Sequence, residues 1–263
     1  MQLASKLEFN FSQTFQGVIW QLLKVPELPV LLLEIREEDK HEVRFAAFDY
    51  TLGRFLWKDI LFEETWWIGQ VAATADILLL NLYLNMENPD EKGLMAFHIH
   101  QKKILWRYDY FSFSYVKGDV VVGHFAKDEF KATILDVNSG KILENDNVKS
   151  GRDENITVIN PFQYVESNPH FETVKSYLTA EGSVVPLFGV DYLEYEGLVF
   201  ISYYIQEHSL ANYLIVITEK GETVLREKLG EALKGIGLET FFILAGCLFF
   251  VRNKCELVSF RIV

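Results

Sequence analysis

Cysteine is scarce: Cys247 and Cys255 are the only two in the chain. A tight hairpin turn at Asn253-Lys254 would set Cys255 across from Arg252 and leave Cys247 too far along the neighbouring strand for a disulfide. Two reduced thiols are expected. Basic residues are also in short supply, with 25 Lys and Arg against 37 Asp and Glu and a formal net charge of -12. Such a field repels phosphate backbones, so nucleic acid is not an expected partner. It suits solubility and a cationic partner. Long apolar runs are missing as well. Stretches such as Phe241-Phe242-Ile243-Leu244-Ala245 fall well short of a membrane helix. The segment Met1–Asn10 lacks the basic and unbroken apolar stretches of a signal peptide. These absences predict a cytoplasmic protein without a membrane partner. No Gly-x-Gly-x-x-Gly, Walker loop, Gly-x-Ser-x-Gly or His-Glu-x-x-His occurs, which removes motif support for nucleotide binding and the common hydrolase mechanisms.

What is abundant is apolar and aromatic. Hydrophobic residues make up 49% of the chain, including 21 Phe, 12 Tyr and 5 Trp. That is ample for a large core and excludes disorder. The residues recur in a pattern. Ala47-Phe48-Asp49-Tyr50-Thr51-Leu52-Gly53-Arg54-Phe55-Leu56-Trp57 aligns with Ala96-Phe97-His98-Ile99-His100-Gln101-Lys102-Lys103-Ile104-Leu105-Trp106. Leu135 to Leu143 and Ile217 to Leu225 repeat the same scheme of apolar strand, tight polar turn and apolar strand. Each copy reads as a β-hairpin, with Gly53, Gly140 and Gly221 at turn positions that need positive φ.

The turns fall at 53, 102, 140 and 221. The last gap is about twice the others, so a degraded copy is expected within 145–190, with Tyr177 to Val185 as its hairpin and Gly182 as its turn. Phe171 to Leu178 also fits a short amphipathic helix. Glu256 to Val263 resembles a first hairpin strand without its second. Leu7-Glu8-Phe9-Asn10-Phe11 alternates and is the natural donor of the missing strand. Second strands are expected over 30–34, 77–84, 120–124, 198–204 and 248–251. Innermost strands are expected at Trp66-Trp67-Ile68, 111–116, 156–159, 192–195 and 241–244. A spacing of about 40–45 residues is that of a four-stranded propeller blade. The reading is a single all-β domain over 1–263, a β-propeller of six blades closed by its N-terminal strand, with five blades as the alternative. A β-sandwich or a pair of barrels is the other architecture that period-2 strands allow.

The hairpin Phe-Asp-x-x-x-Gly-Arg-x-x-Trp over 48–57, and in part the segment Asp136 to Leu143, resembles the repeat of the quinoprotein-like propellers, a superfamily related to PQQ-repeat and WD40-like folds. The resemblance implies that the Trp packs between blades and the Gly closes the turn. It implies a fold and no activity: the adjacent-cysteine ring, metal ligands and catalytic carboxylate of the quinone dehydrogenases have no match, so no cofactor is expected. As a whole the chain resembles bacterial propeller-like domains with no assigned function.

Candidate site residues follow from placement. His98 and His100 share a strand face and could bind zinc, but they align with hairpin-turn positions and lack a third ligand nearby, so no metal is expected. Trp57 and Trp106 recur and read as packing residues. Trp66, beside Trp67 and after Glu63-Glu64, opens an innermost strand and approaches a channel mouth. On the same face fall the loops holding Glu37-Glu38-Asp39, Asn88 to Glu91, Asp128-Glu129, Glu166 to His170 and Glu207-His208, with Asp59, Asp109, Asp146, Asp153 and Glu154. The opposite turns carry Arg54, Lys102, Lys103, Lys141 and Lys220. Glu166, His170 and His208 are the acid and imidazole groups that could meet there for acid–base work. The binding residues expected are therefore Trp66, Asp109, Glu166, His170 and His208. The functional expectation is a monomeric protein-interaction or scaffold module with an acidic face and a basic protein partner. The alternative is an enzyme, or a small-molecule or metal-binding protein, with its site at the mouth of an axial channel.

Overall fold

A computed structural model describes residues 6–128, 131–144, 158–182 and 184–263. The chain forms two compact units, one of Gln16–Ile156 and one that joins Met1–Phe15 to Thr157–Val263. Its first strand, β1 (Leu7–Thr14), belongs to the second of these.

The Gln16–Ile156 unit holds three antiparallel four-stranded sheets, each in simple meander order. The first consists of β2 (Val18–Lys24), β3 (Val30–Glu37), β4 (Glu42–Asp49) and β5 (Arg54–Ile60). The second consists of β6 (Ile68–Ala73), β7 (Ile77–Tyr83), β8 (Lys92–His98) and β9 (Lys103–Tyr108), and the third of β10 (Phe111–Lys117), β11 (Val120–Phe125), β12 (Thr133–Asp136) and β13 (Ile142–Leu143). Strands β3 and β7 are almost continuously aliphatic and buried on both faces. Two apolar clusters join the sheets in turn. One packs Leu32, Phe45 and Trp57 against Leu80, Met95 and Phe97; the other packs Leu79 and Trp106 against Phe111, Val121 and Leu135.

The repeated residues act alike in successive sheets. Trp57 Nε1 donates to the Ile99 carbonyl at 2.8 Å, and Trp106 Nε1 to the Val137 carbonyl at 2.8 Å. Each indole thus reaches from the last part of one sheet to the outer hairpin of the next, and a buried N–H finds an acceptor. The aspartates of the motif also have a task. Asp49 Oδ1 accepts the N–H groups of Thr51 and Leu52, and Asp136 Oδ1 accepts the N–H and hydroxyl of Ser139. These local bonds hold the turn that a positive-φ residue then closes. The four aligned turn positions, Gly53, Lys102, Gly140 and Gly221, have φ of 62°, 55°, 69° and 84°.

Two of these glycines differ in their surroundings. A Cβ on Gly53 would meet nothing within 4 Å, whereas one on Gly140 would lie 2.7 Å from Trp106 Cγ. Gly53→Ala is expected to cost about 1–2 kcal/mol, the left-handed backbone alone. Gly140→Ala adds an overpacking cost of about 1–3 kcal/mol. Urea unfolding followed by tryptophan fluorescence measures both. Equal costs would refute the Trp106 contact.

The second unit continues with β14 (Val158–Ile159), β15 (Phe162–Val165), α1 (Pro169–Gly182), β16 (Gly189–Tyr195), β17 (Leu198–Gln206), β18 (Leu210–Thr218) and β19 (Thr223–Leu233). It ends with β20 (Phe241–Leu244), β21 (Cys247–Arg252) and β22 (Glu256–Ile262). Its sheets are five-stranded, in the orders β15-β16-β17-β18-β19 and β1-β22-β21-β20-β14. Each is a four-stranded antiparallel set with one short strand added by the segment 158–165. The expected pairing of Leu7–Phe11 with the last strand is present. Leu7 lies opposite Ile262 and Phe11 opposite Ser259, and Lys6 and Val263 exchange backbone bonds of 2.8 and 3.0 Å. Ser12 donates to the Glu256 carboxylate, which Arg252 also grips, holding its pKa down at about 2.

The hairpin expected at Tyr177 to Val185 is corrected, and with it the basis for a sixth blade: the segment to Gly182 is the end of α1, and the described residues form five sheets. Phe171, Val174 and Leu178 recur at helical spacing and are buried against the β15–β19 sheet. Asn168 caps the start through Oδ1 to the His170 N–H at 2.9 Å, with Pro169 in the first turn. Residues 145–157, including Asp146, Asp153, Glu154 and Ile156 of the expected loops and strand, lie outside the described residues, as does Glu129. Cys247 and Cys255 are both free, and burial pushes the Cys247 thiol pKa up. The last hairpin is one residue longer than expected. Arg252 pairs with Glu256, not Cys255, because Asn253 and Lys254 both take positive φ and Cys255 completes the turn. No helix among the described residues is long and apolar enough to cross a membrane.

Candidate functional site

Within the Gln16–Ile156 unit, one end of the first two sheets gathers an arginine, two indoles and a buried carboxylate. The site starts on β3. Its aliphatic run is interrupted by Glu34 and Arg36, which lie two apart and share a strand face. Arg36 Nε donates to Glu34 Oε1 at 2.8 Å, while Nη1 and Nη2 donate to the carbonyls of Trp66 and Ile68 at 3.3 and 2.9 Å. Its guanidinium carbon stands 5.3 Å from the Trp20 ring centroid and 5.3 Å from that of Trp66, both within cation–π range. Trp20 belongs to β2, and Trp66 precedes β6. The Arg36 fork therefore ties two sheets together through backbone and ring contacts.

Glu34 is 1% exposed, and its second oxygen accepts the Gln70 N–H at 2.8 Å. A carboxylate buried to that degree needs both partners. The Gln70 amide donates to the carbonyls of Gln21 and Leu32 at 3.1 and 3.4 Å. His41, in the left-handed region with φ of 52°, closes the group with its ring 5.3 Å from Trp66. Glu64 Oε1 accepts the N–H groups of both Trp66 and Trp67, which fixes the approach to β6.

Several apolar side chains on these sheets and their connections reach solvent. Trp20 is 66% exposed, Trp67 40% and Met86 73%. Glu38 and Asp39, after β3, and Glu63, before β6, are exposed and form no ion pair among the described residues. Glu37 is engaged by Lys40 at 2.6 Å and Arg44 at 3.4 Å.

The other expected site residues separate between the two units. Asp109 is exposed in the β9–β10 turn and accepts from Arg107 Nε at 2.9 Å. Glu166, His170 and His208 lie in the second unit, on connections at one end of the β15–β19 sheet. Glu166 accepts the Phe188 N–H at 2.8 Å, and the His170 ring packs 5.1 Å from Tyr164. His208 follows Glu207, whose pKa is lowered by the Tyr213 hydroxyl and Lys228. His98 and His100 have ring centroids 6.3 Å apart, and His100 stands 3.8 Å from Asp76. Among the described residues no group of three His, Cys, Asp or Glu side chains is placed to hold a metal.

Each unit also holds a cavity. One, of about 380 Å³, lies at the turns of the Gln16–Ile156 unit and is edged by Glu27, Asp76 and Asp119. The other, of about 460 Å³, lies between α1 and its sheet. Tyr164, Tyr177, Tyr192, Glu194 and His170 surround an aliphatic floor.

Residues 26–106 match the family model of DUF4905, a domain of unknown function. The matched stretch contains Glu34, Arg36, Trp66 and Gln70 and stops short of Trp20. No curated protein matches the chain. Among solved structures, a member of the DUF4221 family from Bacteroides vulgatus is 10% identical, with 100% of this chain and 99% of that one covered and a TM-score of 0.40. BamB from Moraxella catarrhalis is also 10% identical, with 95% of this chain and 60% of that one covered and a TM-score of 0.24.

Trp66 was legible as a special residue from the Trp66-Trp67 pair after Glu63-Glu64, but the pair lies in the bend before β6 and not on the strand expected to open at Trp66. Arg36 and Trp20 were missed. The available signal was the charged pair Glu34-x-Arg36 inside a strand otherwise made of Val, Leu and Ile.

Proposed function

We propose that the chain is a propeller-type interaction module, its sheets serving as blades and β1 completing the last, and that the Trp20–Arg36–Trp66 end of the Gln16–Ile156 unit binds a positively charged protein segment. One observation carries the reading: Trp20 is 66% exposed yet rests beside an arginine already fixed by Glu34 and two backbone carbonyls. An exposed aromatic on a rigid support is the kind of side chain that dominates protein interfaces, since little entropy is lost when it is covered. Trp67, next to Trp66 in the chain, and Met86, after β7, are further exposed apolar side chains of the same two sheets' connections. Glu38, Asp39 and Glu63 supply the charge that a Lys- or Arg-bearing partner would meet, and the net charge of -12 adds long-range attraction.

The test is affinity capture from a lysate of the native host with wild-type protein and a Trp20→Ala, Trp67→Ala double variant, at low and high salt. The expected result is retention of basic proteins that weakens as salt rises and falls at least about tenfold in the double variant, the loss of one hot-spot side chain. Retention that ignores salt, selects acidic proteins or survives the double variant would overturn the proposal.

A further inference from the structure

The cavity beneath α1 is built differently from the surface just described. Its floor is aliphatic, formed by Val199 and Ile201 of β17 and Ile217 of β18, with Val174 descending from the helix. Its walls are aromatic. Tyr164 stands with its ring 6.1 Å from Tyr192 and 5.1 Å from His170, and Tyr177 faces the cavity from α1. The carboxylate among the lining residues is Glu194, and no lysine or arginine among the described residues lines the cavity. The Tyr192 hydroxyl donates to Glu194, which orients the carboxylate along the aromatic wall. Burial, then this bond, raises the Tyr192 pKa, so the phenol stays neutral and keeps donating.

We infer that this cavity is a binding site for an organic ammonium ion carrying an apolar arm. Each part of the ligand has its counterpart. Tyrosine faces present negative quadrupole density to a cation. Glu194 supplies a full negative charge at the same wall. The aliphatic floor takes the arm, in a concave, mostly apolar site with few polar groups, the usual anatomy of small-ligand pockets. An anion of the same size would meet Glu194 and no compensating cation. A neutral isostere would gain only the apolar floor. The volume of about 460 Å³ admits a ligand with an aryl or alkyl arm.

The matched set 4-phenylbutylammonium, 4-phenylbutan-1-ol and 4-phenylbutyrate isolates the charge. Isothermal titration of the full chain at neutral pH is expected to rank them in that order, the ammonium at least about tenfold tighter than the alcohol. Glu194→Gln is expected to bring the ammonium down to the affinity of the alcohol while leaving the alcohol unchanged. Glu194 is exposed, so this variant keeps the fold, and an unaltered far-ultraviolet spectrum and melting temperature verify that. Tyr192→Leu is expected to weaken the ammonium more than the alcohol. Equal affinity for ammonium and alcohol, an ammonium preference that survives Glu194→Gln, or no heat from any of the three compounds would each overturn the inference.

Discussion

Arg36→Met is expected to destabilise the Gln16–Ile156 unit by about 3–5 kcal/mol, the cost of stranding a buried charge. The substitution keeps most of the aliphatic stem and removes only the fork. Glu34, 1% exposed, then retains the Gln70 N–H as its one remaining partner. The decisive companion is Glu34→Gln together with Arg36→Met. A neutral amide in place of the carboxylate removes the stranded charge, so the double variant is expected to recover most of the loss, which cavity or packing effects would not do. All five tryptophans lie between residues 20 and 106, within this unit. Urea unfolding followed by their fluorescence therefore reads the right part of the chain. A double variant as unstable as Arg36→Met would show that the arginine acts through packing alone.

The larger effect belongs to the second unit. Removal of residues 1–14 is expected to abolish cooperative unfolding of that unit, a loss on the order of 5 kcal/mol and comparable with the entire stability of a domain. Strand β1 covers the β22 edge over its full length, sets Phe9 edge-to-face with Phe260 at 5.7 Å and Phe11 tilted against Phe249 at 6.0 Å, and packs Leu7 against the unit's core. Without it β22 presents open N–H and C=O groups beside the buried residues Leu257, Val258 and Ser259, which invites edge-to-edge aggregation. A synthetic peptide of Leu7–Thr14 is expected to restore solubility and the thermal transition, since strand addition is driven by backbone bonds that the peptide can supply. Light scattering and calorimetry check both arms. A truncated protein that melts as the intact chain does would refute the role given to β1.

Most strands could be read from sequence because their signals are local. Aliphatic runs such as Val30 to Leu33, aspartate-led turns and residues at positive φ all act within about ten positions. The recurrence of Trp57 and Trp106 was legible for the same reason, and their shared task of bonding a carbonyl in the next sheet explains why repetition marked them. Strands β2 and β15 were not read, whereas β14 falls within the strand expected at 156–159. They form because a neighbouring edge recruits them, and Val18 to Lys24 carries no clean alternation of exposure. Helix α1 competed with a hairpin reading over the same residues, and the spacing of Phe171, Val174 and Leu178 decided it. The candidate site was half legible. Trp66 stood out locally, whereas its meeting with Trp20 and Arg36 is a property of β2, β3 and the approach to β6, drawn from two sheets. The tyrosine-walled cavity takes its lining from β15 to β18 and α1, so no window of sequence contains it.

The pairing of β1 with β22 also bears on how the protein is made. Asn10 and Ser259 are 249 residues apart in the chain yet hydrogen-bonded in the fold. On the ribosome the first strand emerges about 249 residues ahead of the partner it needs. Every other sheet neighbour of four strands in meander order can fold as it appears, but this sheet cannot be finished until synthesis has passed Ile262. For that interval Leu7, Phe9 and Phe11 are without their partner strand. Slow codons between the two strands would lengthen that exposure, while those ahead of β1 would not.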